Sequence, residues 1–332
     1  MSQVSRRQKI LITGATGFIG GALSRTLVAN GYTVTRVLRE NGYSDVGQAQ
    51  GDSSAVTIDR FDPYTDWQAV VAGQDVVIHL AARAHYGVKN FSLTDLRPVN
   101  VHATAQLARH ARAAGVRHFV FLSSIGVLGQ SSEYPLTEID PPAPTDPYAH
   151  SKHEAEMALW AITAASDMAL TVIRPPLVHG PAAPGNFGRL LAWAQTSRPL
   201  PLGAVTANQR SLVGRSNLVA FIQRVVEHPL AADQTFHVAD EGAISTTRLL
   251  RVLAEAADRQ PLLLPVAPRL LAIGARLLGR GDTARRLLGS LTVDTHKARE
   301  RLDWRPATGL EQGLRSAVRD QILVHAGTYN RA

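Results

Sequence analysis

The chain has 332 residues, 45% of them hydrophobic and 19% charged, enough for one large domain or two ordinary ones around a substantial core. It has no cysteine, which excludes disulfides, thiolate metal ligands and cysteine nucleophiles, and no metal site is expected. The net charge of +8 is spread along the chain without an aromatic-interleaved basic block, which argues against nucleic acid and suits small anionic ligands such as phosphates.

Lys9 to Thr13 is a short apolar run ended by glycine, and Gly21 to Asn30 has helical spacing at Leu23, Leu27 and Val28, closed by Asn30 and Gly31; this predicts strand, tight turn, helix. Tyr32 to Leu38 reads as a second strand and Asp75 to Leu80 as another. Val101 to Ala114 reads as a helix stopped by Gly115, His118 to Ser123 as a strand, the segment after Tyr148 as a helix to about Ala165, and Leu170 to Arg174 as a strand. Alternating apolar strands and helices predict an α/β fold, a doubly wound parallel sheet covered on both faces, over residues 1–175. From Pro175 and Pro176 onward, prolines and glycines interrupt every run. Residues 176–332 are therefore expected to form a smaller, loop-rich C-terminal domain, with some strands or helices returning to the first. Leu262 to Leu278 is strongly apolar, but Pro265, Pro268, Arg269 and Arg276 break it up, so it is no membrane span. An amphipathic helix packed on the second domain is preferred there to a membrane-surface or lid role. The N-terminal segment lacks a signal-peptide apolar stretch, so a cytoplasmic location is the default expectation.

Gly14-Ala-Thr-Gly-Phe-Ile-Gly20 lies between the first strand and the first helix, the context that gives a glycine pattern meaning. Gly14 and Gly17 let the backbone turn and approach a pyrophosphate, Gly20 lets helix and strand pack, and the helix N-terminus faces the phosphates with unpaired N–H groups. Dinucleotide binding is thus expected. A ribose-binding acid is usual about 20 residues on, yet here Leu38 and Arg39 end the strand. An arginine pairs with a 2′-phosphate that a carboxylate would repel, so NADP(H) is expected over NAD(H), with Glu40 keeping NAD(H) open.

Tyr148 and Lys152 stand four apart, one helical turn. Lowering a phenol from pH ~10 to ~7 takes about 4 kcal/mol, which one cation ~4 Å away supplies at an effective dielectric of ~20. The pair permits acid/base work at neutral pH; spacing alone equally describes a solvated helix face.

Taken together, the glycine segment, His79-Leu-Ala-Ala82, Ser123-Ser124, Tyr148 with Lys152, and the C-terminal run from Val293 to Pro306 resemble the extended short-chain dehydrogenase/reductase family, which includes nucleotide-sugar epimerases and reductases. The resemblance implies a Rossmann domain. It also implies that Tyr148 is the general acid/base, that Lys152 lowers its pKa and holds the nicotinamide ribose, and that Ser124 hydrogen-bonds the reacting oxygen, with Ser123 as its rival. By the same likeness Phe18, Ile19, Leu80, Ala81, Ala82 and Pro175 line the cofactor groove, Asp59 meets the adenine amine and Asn100 steadies the nicotinamide side. Asn186 and Arg210 resemble the residues that hold a substrate diphosphate, and His85 and Tyr86 stand where a sugar is reached. A homodimer through helices around 100–113 and 152–164 is implied as well.

Departures from family patterns narrow the reaction. Ile125 and Gly126 follow Ser124 where the 4,6-dehydratases carry an Asp-Glu pair, and the cysteine of the 3,5-epimerases is absent. Two hydride chemistries remain. The preferred expectation is NADPH-dependent reduction of a 4-keto UDP-6-deoxy-N-acetylhexosamine, as in the UDP-N-acetylquinovosamine-type reductases of O-antigen pathways. The alternative is 4-epimerisation of a UDP-sugar with NAD. A non-catalytic dinucleotide sensor or structural subunit, or a steroid- or flavonoid-type ketone reductase, would be a different class. His179 stands where many relatives have Tyr.

Overall fold

The computed structural model describes residues 8–40, 53–84, 91–196, 198–279 and 281–329. β1 (Lys9–Thr13), β2 (Thr33–Arg39), β3 (Ser53–Ile58), β4 (Val76–His79), β5 (His118–Leu122), β6 (Ala169–Arg174) and β9 (Gln234–His237) form one sheet. Its order is β3-β2-β1-β4-β5-β6-β9, and every pairing is parallel. β7 (Leu177–His179) and β8 (Leu212–Gly214) pair separately.

The alternation of side chains along a strand explains the layers. Ile10 and Ile12 enter one core with Leu23 and Leu27 of α1 (Gly20–Ala29) and with Leu218, Phe221 and Ile222 of α7 (Arg215–Glu227). Leu11, between them, enters the opposite core with Leu107 and Ala108 of α4 (Thr104–Ala113) and Leu159 of α5 (Pro147–Thr163). A central parallel strand is buried on both faces and reads as a continuous apolar run. Each fully buried leucine contributes roughly 1.5–3 kcal/mol. The molecule is the expected doubly wound, Rossmann-like sheet.

The chain runs outward from β1 to β3, then crosses to β4 on the other side of β1. Ligands of such sheets bind where the order reverses, outside the carboxyl ends of the strands. Here that crevice opens between Gly14, after β1, and Leu80, after β4.

Several elements were not legible. β3 reads Ser-Ser-Ala-Val-Thr-Ile with an incomplete apolar pattern because it is the sheet's edge strand, and most of it is not buried. Short helices α2 (Gln68–Val71) and α3 (Leu93–Arg97) precede a π-helical segment, Pro98–Ala103, where an α-helix was expected from Val101. β9 comes from the second half of the chain yet pairs with β6.

The remaining helices are α6 (Gly185–Ala194), α8 (Thr246–Ala256), α9 (Pro268–Leu277), α10 (Gly281–Leu288), α11 (His296–Leu302) and α12 (Leu310–Tyr329). A core of Phe187, Leu191, Leu249, Leu253 and Leu314 joins α6, α8 and α12. The expectation for the apolar segment 262–278 holds in part: Pro268–Leu277 is a helix, and Leu271, with Leu263 before it, packs against the Leu202–Val205–Leu250 core, but no residue of α9 is fully buried.

Candidate active site

The glycine turn closes with Gly17 N–H donating to Gly14 O at 3.0 Å. Gly14 has φ +71°, and a Cβ there would sit 2.8 Å from Ala81 N. A Cβ on Gly20 would sit 2.1 Å from Gly14 O, so both positions accept only glycine. The turn lines a cleft of about 1380 Å³ together with Phe18, Ile19, Leu80, Ala81, Ala82, Arg36 and Arg39. Gly14, Gly17 and Gly20 also line it, as expected.

At the β2 end of the cleft Leu38 is buried and Arg36 and Arg39 face the opening. Among the described residues, Arg36 Nε and Ser53 Oγ, both in lining residues, have no hydrogen-bond partner. Arg25, Arg83 and Arg215 also line the cleft, and among the described residues no carboxylate lines it. Orphaned donors, a turn that only glycine fits and five arginines suit a dinucleotide's phosphates. Asp59 follows the cleft-lining Ile58, but its carboxylate is exposed and bridged to Arg60 at 3.2 Å; no hydrogen bond or ion pair ties it to the cleft wall.

α5 is tied to the cleft wall after β4 by Asn100, which bonds both Arg83 and Ser151, and it carries the candidate acid/base pair. Asp146 caps it, accepting from Ala149 N at 2.8 Å, and Pro147 takes the first helical position, where its missing N–H costs nothing. The helix therefore sets Tyr148, Lys152 and Glu156 along one face. Lys152 is buried; its Nζ donates to Leu122 O at 2.7 Å and lies 4.4 Å from the centre of the Phe121 ring. Burial lowers its pKa to about 7, against the raising influence of Glu156. Tyr148 is half-buried.

Ser123 and Ser124 have different roles. Ser123 is buried and donates to Glu156, which also receives both arms of Arg174 at 3.0 and 2.6 Å. Ser124 remains half-exposed and caps the short 3₁₀ turn Ile125–Leu128, accepting from Gly126 N at 3.1 Å, so its own hydroxyl proton is free to donate. A Cβ on Gly126 would sit 3.3 Å from Ser124 Oγ and 3.5 Å from Ala149 Cβ, which puts the serine beside the start of α5. Pro175 O accepts from Ile125 N at 3.0 Å and so fixes the same turn to the end of β6.

Asn100 lies in the π-helical segment, a distortion frequent at functional sites. Its side chain accepts from Arg83 N at 2.7 Å and donates to Arg83 O and to Ser151 Oγ, each at 2.9 Å. It thus clamps the cleft wall after β4 to α5, next to Tyr148.

The diphosphate pair is divided by the structure. Arg210 is half-buried, donates to Gly289 O at 3.1 Å, and has its pKa lowered by burial and then by Arg286. Asn186 is exposed on the first turn of α6, and no hydrogen bond or ion pair joins it to Arg210. His85 and Tyr86 lie outside the described residues. His179 pairs with Asp240 at 2.7 Å, both buried, and Asp240 also accepts from Gly214 N and Asn217.

Sequence reasoning missed Glu156, Arg174, Arg286 and Arg36's free donor. Glu156 had a signal: it repeats the Tyr148–Lys152 spacing once more. Arg286, on α10, reaches Asp146 at 3.1 Å and crowds Arg210; no local pattern announces a partner 140 residues away.

A glycine-turn cleft at the switch point of a doubly wound sheet, with Tyr148 and Lys152 on a helix tied to its wall, is the arrangement of the extended short-chain dehydrogenases/reductases. The model of the NAD dependent epimerase/dehydratase family matches residues 10–239, and the chain belongs to that family. It is 36% identical over 316 residues to a UDP-glucose 4-epimerase of Vibrio cholerae, covering 94% of each chain. It is 32% identical to a UDP-glucose 4-epimerase of Mycolicibacterium smegmatis, covering 93% of this chain and 97% of that one. Among solved structures, UDP-glucose 4-epimerase of Thermotoga maritima with UDP-glucose shares the fold at TM-score 0.77 and 22% identity, over 96% of this chain and all of that one. These three relatives carry the name of the epimerase alternative and not that of the preferred reductase expectation.

Proposed function

We propose that this protein is a UDP-sugar 4-epimerase. The observation that carries the reading is the face of α5: Tyr148 half-exposed, Lys152 buried one turn on, and Ser124 near the start of the same helix, which Asn100 ties through Ser151 and Arg83 to the wall of the cleft. The likeness to 4-epimerases along nearly the whole chain supports it.

The nicotinamide of a dinucleotide held in the cleft supplies a hydride acceptor and donor. The chain's own residues handle the proton and the substrate. The Tyr148 phenolate would take the C4 hydroxyl proton as C4 becomes a ketone and would return it to the same oxygen as the alcohol is restored with inverted configuration. Ser124 donates to that oxygen, and the charged form of Lys152 favours the phenolate. Gly14, Gly17 and Gly20 cradle the pyrophosphate, Asn100 steadies the wall between cofactor and α5, and Asp59 is proposed for the adenine amine. Arg210, joined by Arg286, holds the substrate diphosphate, with Asn186 and His85 as further candidates. A homodimer through α4 and α5 goes with this reading.

A second reading is favoured by one specific feature, the β2 end of the cleft. Arg36 and Arg39, with no acid between, suit the 2′-phosphate of NADP(H), which a reductase of 4-keto UDP-sugars releases and rebinds in each turnover. On this second reading the cofactor is NADP(H), whereas the epimerase reading goes with NAD(H). Incubation with UDP-glucose or UDP-N-acetylglucosamine and no added cofactor separates the readings. Conversion to the C4 epimer, seen by NMR, supports the epimerase. No conversion, beside stoichiometric NADPH oxidation with a 4-keto-6-deoxy UDP-sugar, means the reductase.

A further inference from the structure

Leu270, Ile273 and Leu277 follow a spacing of three and four, so they share one face of α9. They are 63%, 58% and 83% exposed, and Leu278, just past the helix, is 74% exposed. Leu262 and Leu264 in the approach to the helix are exposed as well. A contiguous apolar stripe of this kind on a folded surface marks an interaction site.

The charge around it identifies the partner. From Arg259 to Val293 the sequence carries Arg259, Arg269, Arg276, Arg280, Arg285 and Arg286 against a single carboxylate, Asp282. Arg269 and Arg276 fall together beside the leucine stripe, both exposed, and among the described residues neither is held in an ion pair. Apolar residues on one side of a helix with unpaired arginines at their border are the pattern of a helix lying in a lipid headgroup layer. An anionic bilayer supplies counter-charges for those arginines across its whole plane while its acyl boundary takes up the leucine stripe. No helix of the described residues is long and apolar enough to cross a membrane, so the attachment is to the surface.

We propose that α9, with its flanking arginines, docks the protein on anionic lipid bilayers. The docking face is continuous with the substrate side. α10 packs on α9, and its Arg286 reaches both Arg210 and the Asp146 cap of the catalytic helix. The attached enzyme thus holds its sugar-diphosphate site close to the membrane plane.

The test is sedimentation of the full-length protein with vesicles of phosphatidylcholine alone or mixed with phosphatidylglycerol. Binding is expected to the mixed vesicles only, and to weaken as salt rises. Each arginine neutralised should weaken it roughly fivefold, so the pair Arg269→Gln and Arg276→Gln loses at least tenfold. The pair Leu270→Ser and Leu277→Ser loses a similar amount, with melting temperature and turnover unchanged because both residues are exposed. Absence of binding to anionic vesicles at low salt, or binding that neither pair of substitutions weakens, overturns the proposal. So does a leucine pair that only converts a larger oligomer into a smaller one, which would make the stripe a contact between copies. None of these outcomes bears on the 4-epimerase reading, which is scored on soluble UDP-sugars.

Discussion

Burial pulls the Lys152 ammonium from 10.5 to about 7, and this has consequences for both turnover and stability. A folded-state pKa below the unfolded value means that the folded form resists protonation. The cost is full below pH ~7, shrinks between there and the unfolded value, and vanishes above it. The shift corresponds to an upper bound of about 5 kcal/mol at ~1.36 kcal/mol per unit. Lys152→Met should therefore abolish turnover yet raise the melting temperature near pH 6.5, with the gap to the wild type narrowing by pH 9.5. Calorimetry at the two pH values checks this; a destabilised Met variant at both would mean that the bond to Leu122 O outweighs desolvation. At Tyr148, replacement by Phe removes the proposed proton carrier alone. Turnover should fall by ~10²–10⁴, the usual worth of a general acid/base, while cofactor binding by fluorescence titration stays within about twofold.

At the scale of elements, the turn after β1 and the start of α5 each fix geometry through a few contacts. Gly20→Ala would force a Cβ to 2.1 Å from Gly14 O, so the β1–α1 junction must open and cofactor affinity should drop at least tenfold in a calorimetric titration. Asp146 both caps α5 and receives Arg286. Asp146→Ala should cost about 1 kcal/mol of stability, the ordinary worth of an N-cap, and should also raise the KM for a UDP-sugar by freeing Arg286 to swing. Unchanged KM beside lowered stability would reduce Asp146 to a cap. At the end of β2, Arg39→Ala should weaken NADP(H) at least tenfold and leave NAD(H) nearly untouched; equal loss for both would remove the 2′-phosphate from the account.

For the whole molecule, what could be read in advance was local. β1, the glycine turn and α1 are contiguous in sequence, so the turn's chemistry and the helix period were visible together. The same holds for Tyr148 and Lys152, whose shared face follows from helix geometry. Features built by distant segments were not legible. Glu156 meets Arg174 and Ser123 only after β6 joins β5, and Arg286 meets Asp146 only when the C-terminal half folds back. β9 was missed because four residues at the sheet's edge carry too short a pattern. The segment 262–278 was legible in part: Leu263 and Leu271 pack on the second domain as its apolar pattern suggested, whereas Leu262, Leu264, Leu270, Ile273, Leu277 and Leu278 stay exposed.

The central claim is that the α5 face, with a dinucleotide in the adjoining cleft, inverts C4 of a UDP-sugar. Its most direct test is proton NMR of UDP-glucose and UDP-N-acetylglucosamine incubated with the purified protein, and with Tyr148→Phe, without reductant. The expected result is growth of the C4-epimer's anomeric signal to a fixed ratio with wild type and none with the variant. Unchanged UDP-sugars with wild type, even after NAD⁺ or NADP⁺ is added, would contradict it.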